Sequence, residues 1–329
     1  MDNKELIIKY LETKHIYFQR NLSLADLSYL KIGGLAAFFV IPENEEQVVD
    51  FVRFLKKNHC SYLIFGNGSN CLFGEGYIER IFISLKKLNR IVIDEENNMV
   101  NAEAGMFLPL FVNIVSQKGK TGFEGLNGIP GTIGGALRMN AGAYGNEIAD
   151  KLADIKYLDG SGVINNISKT EARFSFRNSI FQEEFKSAVI LSARFHLFSA
   201  DQNEINRKIK IFQNNRSVYQ EKKYPNLGSL FKTKDIYGDL ARLSPGYAFL
   251  LWFLRKVSRF NGGKDNRIIN YFTIKYFRLI YASEKPYSDK TLNCLVNRGH
   301  LTFAIAMEFI IQMKKILRDT LALEIEIVE

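Results

Sequence analysis

A glycine-dense segment at residues 128–145, GIPGTIGGALRMNAGAYG, limits the structures open to this chain more than any other part of its sequence. Its 18 residues include six glycines, three alanines and one proline. Turns alone do not explain this density, because the side chains of an ordinary structural loop vary in size. Small side chains are needed where a flat ligand lies against the backbone. The segment therefore predicts a binding surface of backbone amides, with Thr132 and Asn140 available to hydrogen-bond the heteroatoms of a ring.

A shorter glycine loop, GNGSN at residues 66–70, directly follows a predicted strand at 61–65. Its two glycines permit positive φ angles and let backbone N–H groups approach an anion without an intervening Cβ. The loop is compatible with a phosphate cradle, although such a sequence is also typical of a plain turn. It lacks the GxGxxG pattern of a dinucleotide-binding Rossmann fold, so that fold is disfavoured.

The hydrophobic pattern predicts an α+β protein in which short strands alternate with helices. Strands are expected at 37–41, 61–65, 81–85, 90–94, 99–104, 154–158, 162–166 and 187–198, and helices at 44–58, 108–118, 203–223 and 301–323. Near residue 200 the strand signals give way to a basic helical stretch. We therefore expect a first domain that ends near residue 199 and a second domain at 200–329.

The composition, 47% hydrophobic and 24% charged, is that of a folded globular protein. Its longest apolar stretch, at 247–254, is too short to cross a bilayer. The first residues are acidic where a signal peptide needs a basic start. We therefore expect a cytoplasmic protein with no membrane partner.

The net charge of +9 is concentrated in residues 201–329, which hold 22 Lys and Arg against 13 Asp and Glu, whereas residues 1–200 hold 22 of each. Such a bias attracts anionic small molecules or polyanions, or simply forms a solvated surface. No helical or zinc motif of a DNA-binding protein is present, so nucleic acid is not an expected partner. Cysteines at 60, 71 and 294 lack CxxC spacing and the four histidines are scattered, so neither a disulfide framework nor a metal site is expected.

Together, the two glycine segments resemble the FAD-binding half of the UDP-N-acetylenolpyruvoylglucosamine reductase family. The similarity begins at YLKIGGLAAFFVIP (29–42), includes FGNGSNCLF (65–73) and the segment at 128–145, and extends through FSFRNSIF (174–181). It implies a two-lobed FAD-binding domain of the vanillyl-alcohol oxidase type at residues 15–199, with lobes at roughly 15–85 and 86–199, followed by a smaller α+β substrate-binding domain. It also implies non-covalent FAD, with its diphosphate at GNGSN and its isoalloxazine at the longer segment.

The residues that we accordingly predict to bind FAD are Gly66, Asn67, Gly68, Ser69, Asn70, Gly128, Ile129, Pro130, Gly131, Thr132, Gly134, Gly135, Asn140, Gly142 and Ala143. The resemblance further implies NADPH as the electron donor and an enolpyruvyl sugar nucleotide as the acceptor. No metal is implied.

Three motif matches supply the predicted catalytic residues. Arg177 stands in FRNSIF, similar to the family's YRxSxF, and Ser229 stands in PNLGSLFK, similar to its PxxGSxFK. In the family the arginine stabilises developing charge, the serine donates a proton and a glutamate near the end of the chain assists. Here LEIEI offers Glu326, our predicted residue, and Glu324, and in an extended segment both point to the same face, so spacing does not choose between them.

The resemblance continues at PYSDKTLNCLVNRGHLTFAIAMEFI (286–310) with departures. The predicted substrate-binding residues are Lys232, Asn293 and Asn297. Thr291 stands where the family usually has histidine, Phe176 replaces the common tyrosine, and Thr233 replaces an asparagine. Residues 238–285 form a longer, basic and aromatic run that does not align.

Three functions remain open from the sequence. The chain is a diverged reductase of peptidoglycan precursor synthesis, or a paralogue that reduces another enolpyruvyl or nucleotide-sugar substrate. The third alternative is a flavin-binding protein without turnover. The departures at 238–285 concern the acceptor more than the flavin. The resemblance implies a monomer.

Overall fold

The computed structural model describes residues 3–260, 266–280 and 285–329. In these ranges the helices are α1 (Asn3–Thr13), α2 (Leu24–Leu27), α3 (Glu45–Lys57), α4 (Leu108–Gln117), α5 (Ile133–Met139), α6 (Gln202–Tyr219), α7 (Ile236–Leu243), α8 (Pro245–Phe260), α9 (Arg267–Phe277) and α10 (Phe303–Ile316). The strands are β1 (Tyr17–Ser23), β2 (Leu35–Ile41), β3 (Tyr62–Phe65), β4 (Cys71–Phe73), β5 (Tyr77–Ser84), β6 (Ile91–Asp94), β7 (Met99–Glu103), β8 (Lys120–Thr121), β9 (Gly142–Ala143), β10 (Asn146–Glu147), β11 (Leu152–Leu158), β12 (Ile164–Ser168), β13 (Val189–His196), β14 (Phe198–Ser199) and β15 (Glu326–Val328). Short 3-10 helices lie at Glu124–Leu126, Ile148–Lys151 and Ile180–Gln182.

The chain forms two compact units. Unit 1 comprises Met1–Leu22, Leu35–Gly68 and Tyr77–Gln213, and unit 2 comprises Ser23–Gly34, Ser69–Gly76 and Asn214–Glu329. The units divide within α6, whereas the sequence places the domain boundary just before it. Two segments that precede residue 200 belong to unit 2, and one of them carries β4, which pairs with β15.

The first sheet of unit 1 has the strand order β1-β2-β5-β3, with β5 parallel to both β2 and β3. Parallel strands cannot be joined by a tight turn, and α3 connects β2 to β3. The Asn44 side chain caps α3 by accepting the Gln47 N–H at 2.9 Å. Apolar residues at helical spacing, from Val48 to Leu55, are buried. The predicted helix at 44–58 is therefore confirmed.

The second sheet of unit 1 is antiparallel, with the order β12-β11-β13-β7-β6. Phe111 on α4 packs with Phe123 and with Phe195 on β13, and the three ring centroids are 5.2 to 5.8 Å apart. All three rings are buried, and such aromatic pairs stabilise a core beyond the area that they bury. The mixed strands and helices confirm the expected α+β class.

Unit 2 has a separate hydrophobic core that includes the fully buried Phe231, Tyr247 and Phe309. It is mainly helical, and its regular strand pairing is that of β4 with β15, which run parallel. The Thr302 side chain caps α10 by accepting the Ile305 N–H at 3.2 Å. Across 3–260, 266–280 and 285–329, no helix combines the length and the apolar character that crossing a bilayer requires.

The prediction of a helix that runs to residue 323 was wrong in its last part, because α10 ends at Ile316. Arg318 and Asp319 adopt left-handed φ values of 50° and 54°, which a continuing right-handed helix does not permit. Beyond them the backbone pairs with a distant segment, where the Lys232 N–H donates to the Ala322 carbonyl at 2.9 Å. The hydrophobic periodicity of the sequence gives no sign of pairing with a distant segment.

Gly105, at the turn after β7, lies close to the backbone of Leu85. A Cβ on Gly105 would lie 1.7 Å from the Leu85 carbonyl oxygen. Because backbone atoms cannot move aside as a flexible side chain does, we expect Gly105→Ala to lower the free energy of unfolding by about 3 kcal/mol. Urea unfolding measures this change. Gly76→Ala is the control, since a Cβ there meets no atom within 4 Å, and equal stability of the two variants would contradict the packing.

Candidate functional site

The two glycine loops meet at the Thr132 hydroxyl in unit 1. A Cβ built on Gly66 would lie 3.3 Å from Thr132 Oγ1, and one built on Gly135 would lie 3.5 Å from the same atom. Both glycines are exposed, whereas Thr132 is buried. The two glycines therefore leave bare backbone on either side of a buried hydroxyl, against which a flat ring can lie.

The N-terminus of α5 is closed by protein acceptors. Thr132 Oγ1 accepts the Gly135 N–H at 3.3 Å, and the N–H groups of Ile133 and Gly134 donate to carbonyls that follow β7, at 2.9 and 2.8 Å. These first N–H groups are thus not aimed at an anion, unlike those of a phosphate-binding helix. A Cβ on Gly134 would lie 3.0 Å from the Ala104 Cβ, so this glycine allows α5 to pack.

Asn140 ends α5 in the left-handed conformation, with φ of 44°. Its Nδ2 donates to Glu147 Oε2 at 2.7 Å and to the Ser175 carbonyl at 2.8 Å. Its Oδ1 is buried and has no hydrogen-bond partner among the residues that the structure describes. An unsatisfied buried acceptor is unfavourable, and an N–H donor on a bound ring would satisfy it.

Arg177 lies beside the same loop, half-buried and with a left-handed φ of 55°. Its Nη1 donates to the Asn140 carbonyl at 3.4 Å and its Nη2 to the Gly142 carbonyl at 2.6 Å. The guanidinium carbon lies 5.3 Å from the centroid of the Phe176 ring. A non-glycine residue in this backbone region costs about 1–3 kcal/mol, and such strain is typical of functional sites.

In unit 2, Ser229 is carried by a rigid backbone segment. It follows Gly228, whose φ of 77° forms the turn. The Leu230 N–H donates to the Asn293 carbonyl at 2.8 Å, and the Glu324 N–H donates to the Leu230 carbonyl at 2.9 Å. The predicted proton donor is thus fixed next to the segment that carries both candidate glutamates.

The two glutamates differ in exposure, since Glu324 is half-buried and Glu326, on β15, is exposed. Asn70 holds the backbone of both residues. Its Nδ2 donates to the Glu324 carbonyl at 2.8 Å, and its carbonyl accepts the Glu326 N–H at 2.9 Å. This bridging of the C-terminal segment was not anticipated from the glycine loop that contains Asn70.

The two predicted substrate-binding asparagines also contact backbone. Asn293 Oδ1 accepts the Phe231 N–H at 2.7 Å, and its Nδ2 donates to the Phe231 carbonyl at 3.0 Å. Asn297 Nδ2 donates to the Leu30 carbonyl at 3.0 Å, and its Oδ1 accepts the Gly299 N–H at 2.8 Å. Asn293 thus stabilises the segment around Ser229, and Asn297 joins the turn at Gly299 to the segment around Leu30. The role of both amides towards a substrate stays a prediction.

Two buried groups near this segment do not titrate near neutral pH. Burial raises the pKa of the Cys294 thiol to about 12, so the thiol remains protonated and is a poor nucleophile. Burial also raises the pKa of Tyr237, whose hydroxyl accepts the Leu292 N–H at 3.2 Å. Both groups are parts of the core of unit 2.

The predicted site residues fall into two groups. Those in unit 1 are Gly66, Asn67, Gly68, Gly128, Ile129, Pro130, Gly131, Thr132, Gly134, Gly135, Asn140, Gly142, Ala143 and Arg177, and those in unit 2 are Ser69, Asn70, Ser229, Lys232, Asn293, Asn297 and Glu326. Glu147, which orients Asn140, was missed. Glu147 and Asp150 form a capping box, and in the sequence this pattern indicates the start of a helix and gives no sign of a binding site.

A family model described as an FAD binding domain matches residues 36–168, a range that contains both glycine loops. The surface around Thr132 and the unpartnered Asn140 Oδ1 fit the flat isoalloxazine ring of FAD, which carries an N–H donor. The fold and the site therefore define a flavoprotein with an FAD-binding domain, as predicted.

Known proteins give the family. The chain is 36% identical over 219 residues to the UDP-N-acetylenolpyruvoylglucosamine reductase of Clostridium novyi (strain NT), which covers 67% of this chain and 70% of that protein. It is 30% identical over 295 residues to the protein of the same name from Caldanaerobacter subterraneus subsp. tengcongensis, which covers 90% of this chain and 87% of that protein. In fold, it resembles the crystal structure of UDP-N-acetylenolpyruvylglucosamine reductase from Thermus caldophilus, with a TM-score of 0.70 at 22% identity over 95% of this chain and 100% of that chain. The chain belongs to the UDP-N-acetylenolpyruvoylglucosamine reductase family.

Substitutions at two neighbouring glycines of α5 should affect different properties, one the binding of FAD and the other the packing of the helix. We expect Gly135→Leu to weaken FAD binding by about tenfold or more, corresponding to about 1.4 kcal/mol, because its side chain would cover the bare surface. Its Cβ would make only an ordinary 3.5 Å contact with Thr132 Oγ1, so the apoprotein should keep its stability. Titration of apoprotein with FAD and thermal unfolding measure the two effects. Gly134→Ala, which crowds Ala104, should instead lower stability, and unchanged FAD affinity in Gly135→Leu would contradict the assignment.

Proposed function

We infer that this chain is an FAD-dependent reductase that uses NADPH to convert the enolpyruvyl group of UDP-N-acetylglucosamine enolpyruvate into the lactyl ether of UDP-N-acetylmuramate, for peptidoglycan synthesis. The observation that carries this conclusion is the 30% identity, over 90% of the chain, to a relative named for this reduction. We propose that the protein works as a cytoplasmic monomer without a nucleic-acid partner. In this proposal residues 15–199 bind FAD and residues 200–329 bind the UDP-sugar.

When bound, FAD supplies hydride chemistry, accepting a hydride from NADPH and delivering it to the methylene carbon of the substrate. The proposed FAD-binding residues are those of the loops at 66–70 and 128–143. The contacts of Thr132, Gly135 and Asn140 support this proposal, since they combine a bare backbone surface with a buried acceptor.

Ser229 is the proposed general acid. Addition of a hydride to the methylene carbon leaves negative charge on the adjacent carbon and its carboxylate, and a proton must then reach that carbon. A serine hydroxyl is weakly acidic, so it serves only a strongly basic centre and only from a fixed position. The hydrogen bonds of Leu230 to Asn293 and Glu324 provide such a fixed backbone. Lys232, three residues further on, is suited to stabilise the resulting alkoxide or to bind the substrate diphosphate.

Arg177 is the proposed electrostatic stabiliser. A fixed cation lowers a barrier most when it is already oriented towards the position where charge develops. The carbonyls of Asn140 and Gly142 hold this guanidinium, so little reorganisation is needed during reaction. The carboxylate of Glu326 is proposed to arrange or share a proton at the substrate carboxylate, with Glu324 as the alternative.

The decisive experiment follows the bound flavin anaerobically. NADPH should bleach its visible absorbance, and UDP-N-acetylglucosamine enolpyruvate should restore it rapidly. In Ser229→Ala, reduction by NADPH should be unchanged, whereas reoxidation should be slower by about a hundredfold or more, the typical contribution of a general acid. Stopped-flow absorbance measures both half-reactions, and Ser217→Ala, on the exposed side of α6, is the matched control.

The other outcomes assign other functions. Reduction by NADPH without reoxidation would favour a paralogue with a different enolpyruvyl or nucleotide-sugar acceptor. Bound FAD that NADPH does not reduce would favour a flavin-binding protein without turnover. Reoxidation of Ser229→Ala at the normal rate would remove the serine from the mechanism while leaving the reductase.

A pair of substitutions tests which of the two glutamates supplies the catalytic carboxylate. Glu326→Gln keeps the shape of the side chain and removes its charge, so we expect it to slow reoxidation by about tenfold or more without changing reduction by NADPH. Glu324→Gln is the matched variant, since the bonds from Asn70 reach the backbone of each residue and neither substitution removes them. The same stopped-flow assay decides between them, and a larger effect of Glu324→Gln would transfer the role to that residue.

A further inference from the structure

The segment that does not align with the family carries an exposed aromatic surface. In residues 238–285 the described part forms the end of α7 and the helices α8 and α9. The large apolar side chains that these two helices and the residues after them expose are Phe249, Trp252, Phe253, Ile268, Tyr271, Phe272, Tyr276 and Ile280. Phe249 is 72% exposed and Trp252 is 54% exposed, so more than half of each of these two residues is in contact with solvent.

The exposed side chains occupy one side of each helix. On α8 they are Phe249, Trp252 and Phe253, which are three and four residues apart and therefore neighbours on the helix surface. The opposite side of α8 is buried, at Tyr247 and Leu251.

Helix α9 repeats this arrangement. Ile268, Tyr271 and Phe272 are exposed, whereas Ile269 and Thr273 are buried. Each helix thus has a face that belongs to the core of unit 2 and a second apolar face that nothing in the described residues covers. We call the second faces together the aromatic hairpin face.

Helices α8 and α9 are fixed against each other by hydrogen bonds, so the exposed side chains belong to an ordered pair of helices. The Tyr247 and Thr273 hydroxyls are hydrogen-bonded at 2.6 Å in the core. The Ser244 hydroxyl, before the start of α8, lies 2.9 Å from that of Tyr276 near the end of α9, which makes the helices antiparallel. A Cβ on Gly246 would lie 2.6 Å from the Tyr276 hydroxyl, so the ends of the helices meet closely.

Basic side chains accompany the aromatic ones. Residues 235–280 contain eight Lys and Arg and three acidic residues, and two of the arginines, Arg242 and Arg255, are ion-paired with Asp239 and Asp235. Lys256 Nζ lies 4.0 Å from the centroid of the Trp252 ring, and Lys275 Nζ lies 4.7 Å from that of Tyr271. Each helix therefore presents a cation directly beside an exposed amphipathic ring.

We propose that the aromatic hairpin face docks onto an anionic phospholipid surface. Trp and Tyr rings favour the interfacial layer of a bilayer, Phe and Ile side chains enter the acyl boundary, and lysines extend their charge to the lipid phosphates. The excess of basic residues matches a negatively charged leaflet. A second copy of the same face would bring like charges together, so self-association is disfavoured. This inference goes beyond the proposed reductase activity and does not depend on it.

The experiment uses the full-length, FAD-loaded protein, whose single tryptophan is Trp252 on this face. Its fluorescence maximum should shift to shorter wavelength on addition of vesicles made from phosphatidylcholine with one third phosphatidylglycerol. The protein should sediment with these vesicles, bind about tenfold or more weakly to phosphatidylcholine alone, and be released by high salt.

A double variant, Phe249→Gln with Phe253→Gln, keeps the tryptophan reporter and removes two exposed rings. It should bind the anionic vesicles at least about tenfold more weakly while its thermal unfolding is unchanged, because both side chains are exposed. Ile311→Gln is the matched control, an exposed apolar residue on α10 of the same unit, and should bind as the unaltered protein does.

Three outcomes would overturn the proposal. The first is the absence of a fluorescence shift and of sedimentation with anionic vesicles. The second is vesicle binding that the double variant retains in full. The third is a tryptophan shift that follows protein concentration without lipid, together with a dimer mass in analytical ultracentrifugation, which would assign the face to a second copy of the chain.

Discussion

Close approach of backbone to backbone, possible only where a side chain is absent, is the constraint on which unit 1 depends. Gly105 passes the Leu85 carbonyl at a distance that no Cβ permits, and Gly134 brings α5 against Ala104. These contacts fix the start of α5, and hence the Thr132 hydroxyl on which both glycine loops converge. The bare surface beside this hydroxyl is thus a product of the same packing that holds the second sheet and its helices together.

Asparagine side chains have the corresponding role in unit 2. Asn70, Asn293 and Asn297 each bind backbone groups of a segment distant in sequence, where they replace the regular ladder of a larger sheet. The donors and acceptors of an amide suit this task, since one side chain can satisfy both groups of a peptide. The position of Ser229 therefore depends on Asn293, and the positions of the two glutamates depend on Asn70.

The sequence predicted the elements whose signal is local. The amphipathic helix at 44–58 was recognised because its apolar residues recur with the helical period, and the strand before GNGSN because it is a short apolar run that ends at a glycine turn. The end of α10 was not, because the residues after it pair with a distant segment.

Adjacent glycines illustrate the same limit within the site. Gly134 and Gly135 are the same letter in the sequence, yet a Cβ on the first would crowd Ala104 at 3.0 Å, whereas one on the second would make only an ordinary 3.5 Å contact with Thr132 Oγ1. Their difference depends on Ala104, which lies in the turn after β7, and is not contained in the motif. Asparagines are likewise typical of ligand sites, and the sequence does not reveal that Asn70, Asn293 and Asn297 also bind distant backbone groups.

The clamps also determine how unit 2 can fold. The hydrogen bond from Asn70 to Glu324 closes a sequence separation of 254 residues, and that from Asn297 to Leu30 closes one of 267. Helices such as α8 form from local contacts, whereas these bonds require ends of the chain that are far apart to meet, at an entropic cost that grows slowly with loop length. High contact order slows folding, so we expect the closure of these two long loops, and not the formation of the helices, to limit the rate at which unit 2 folds.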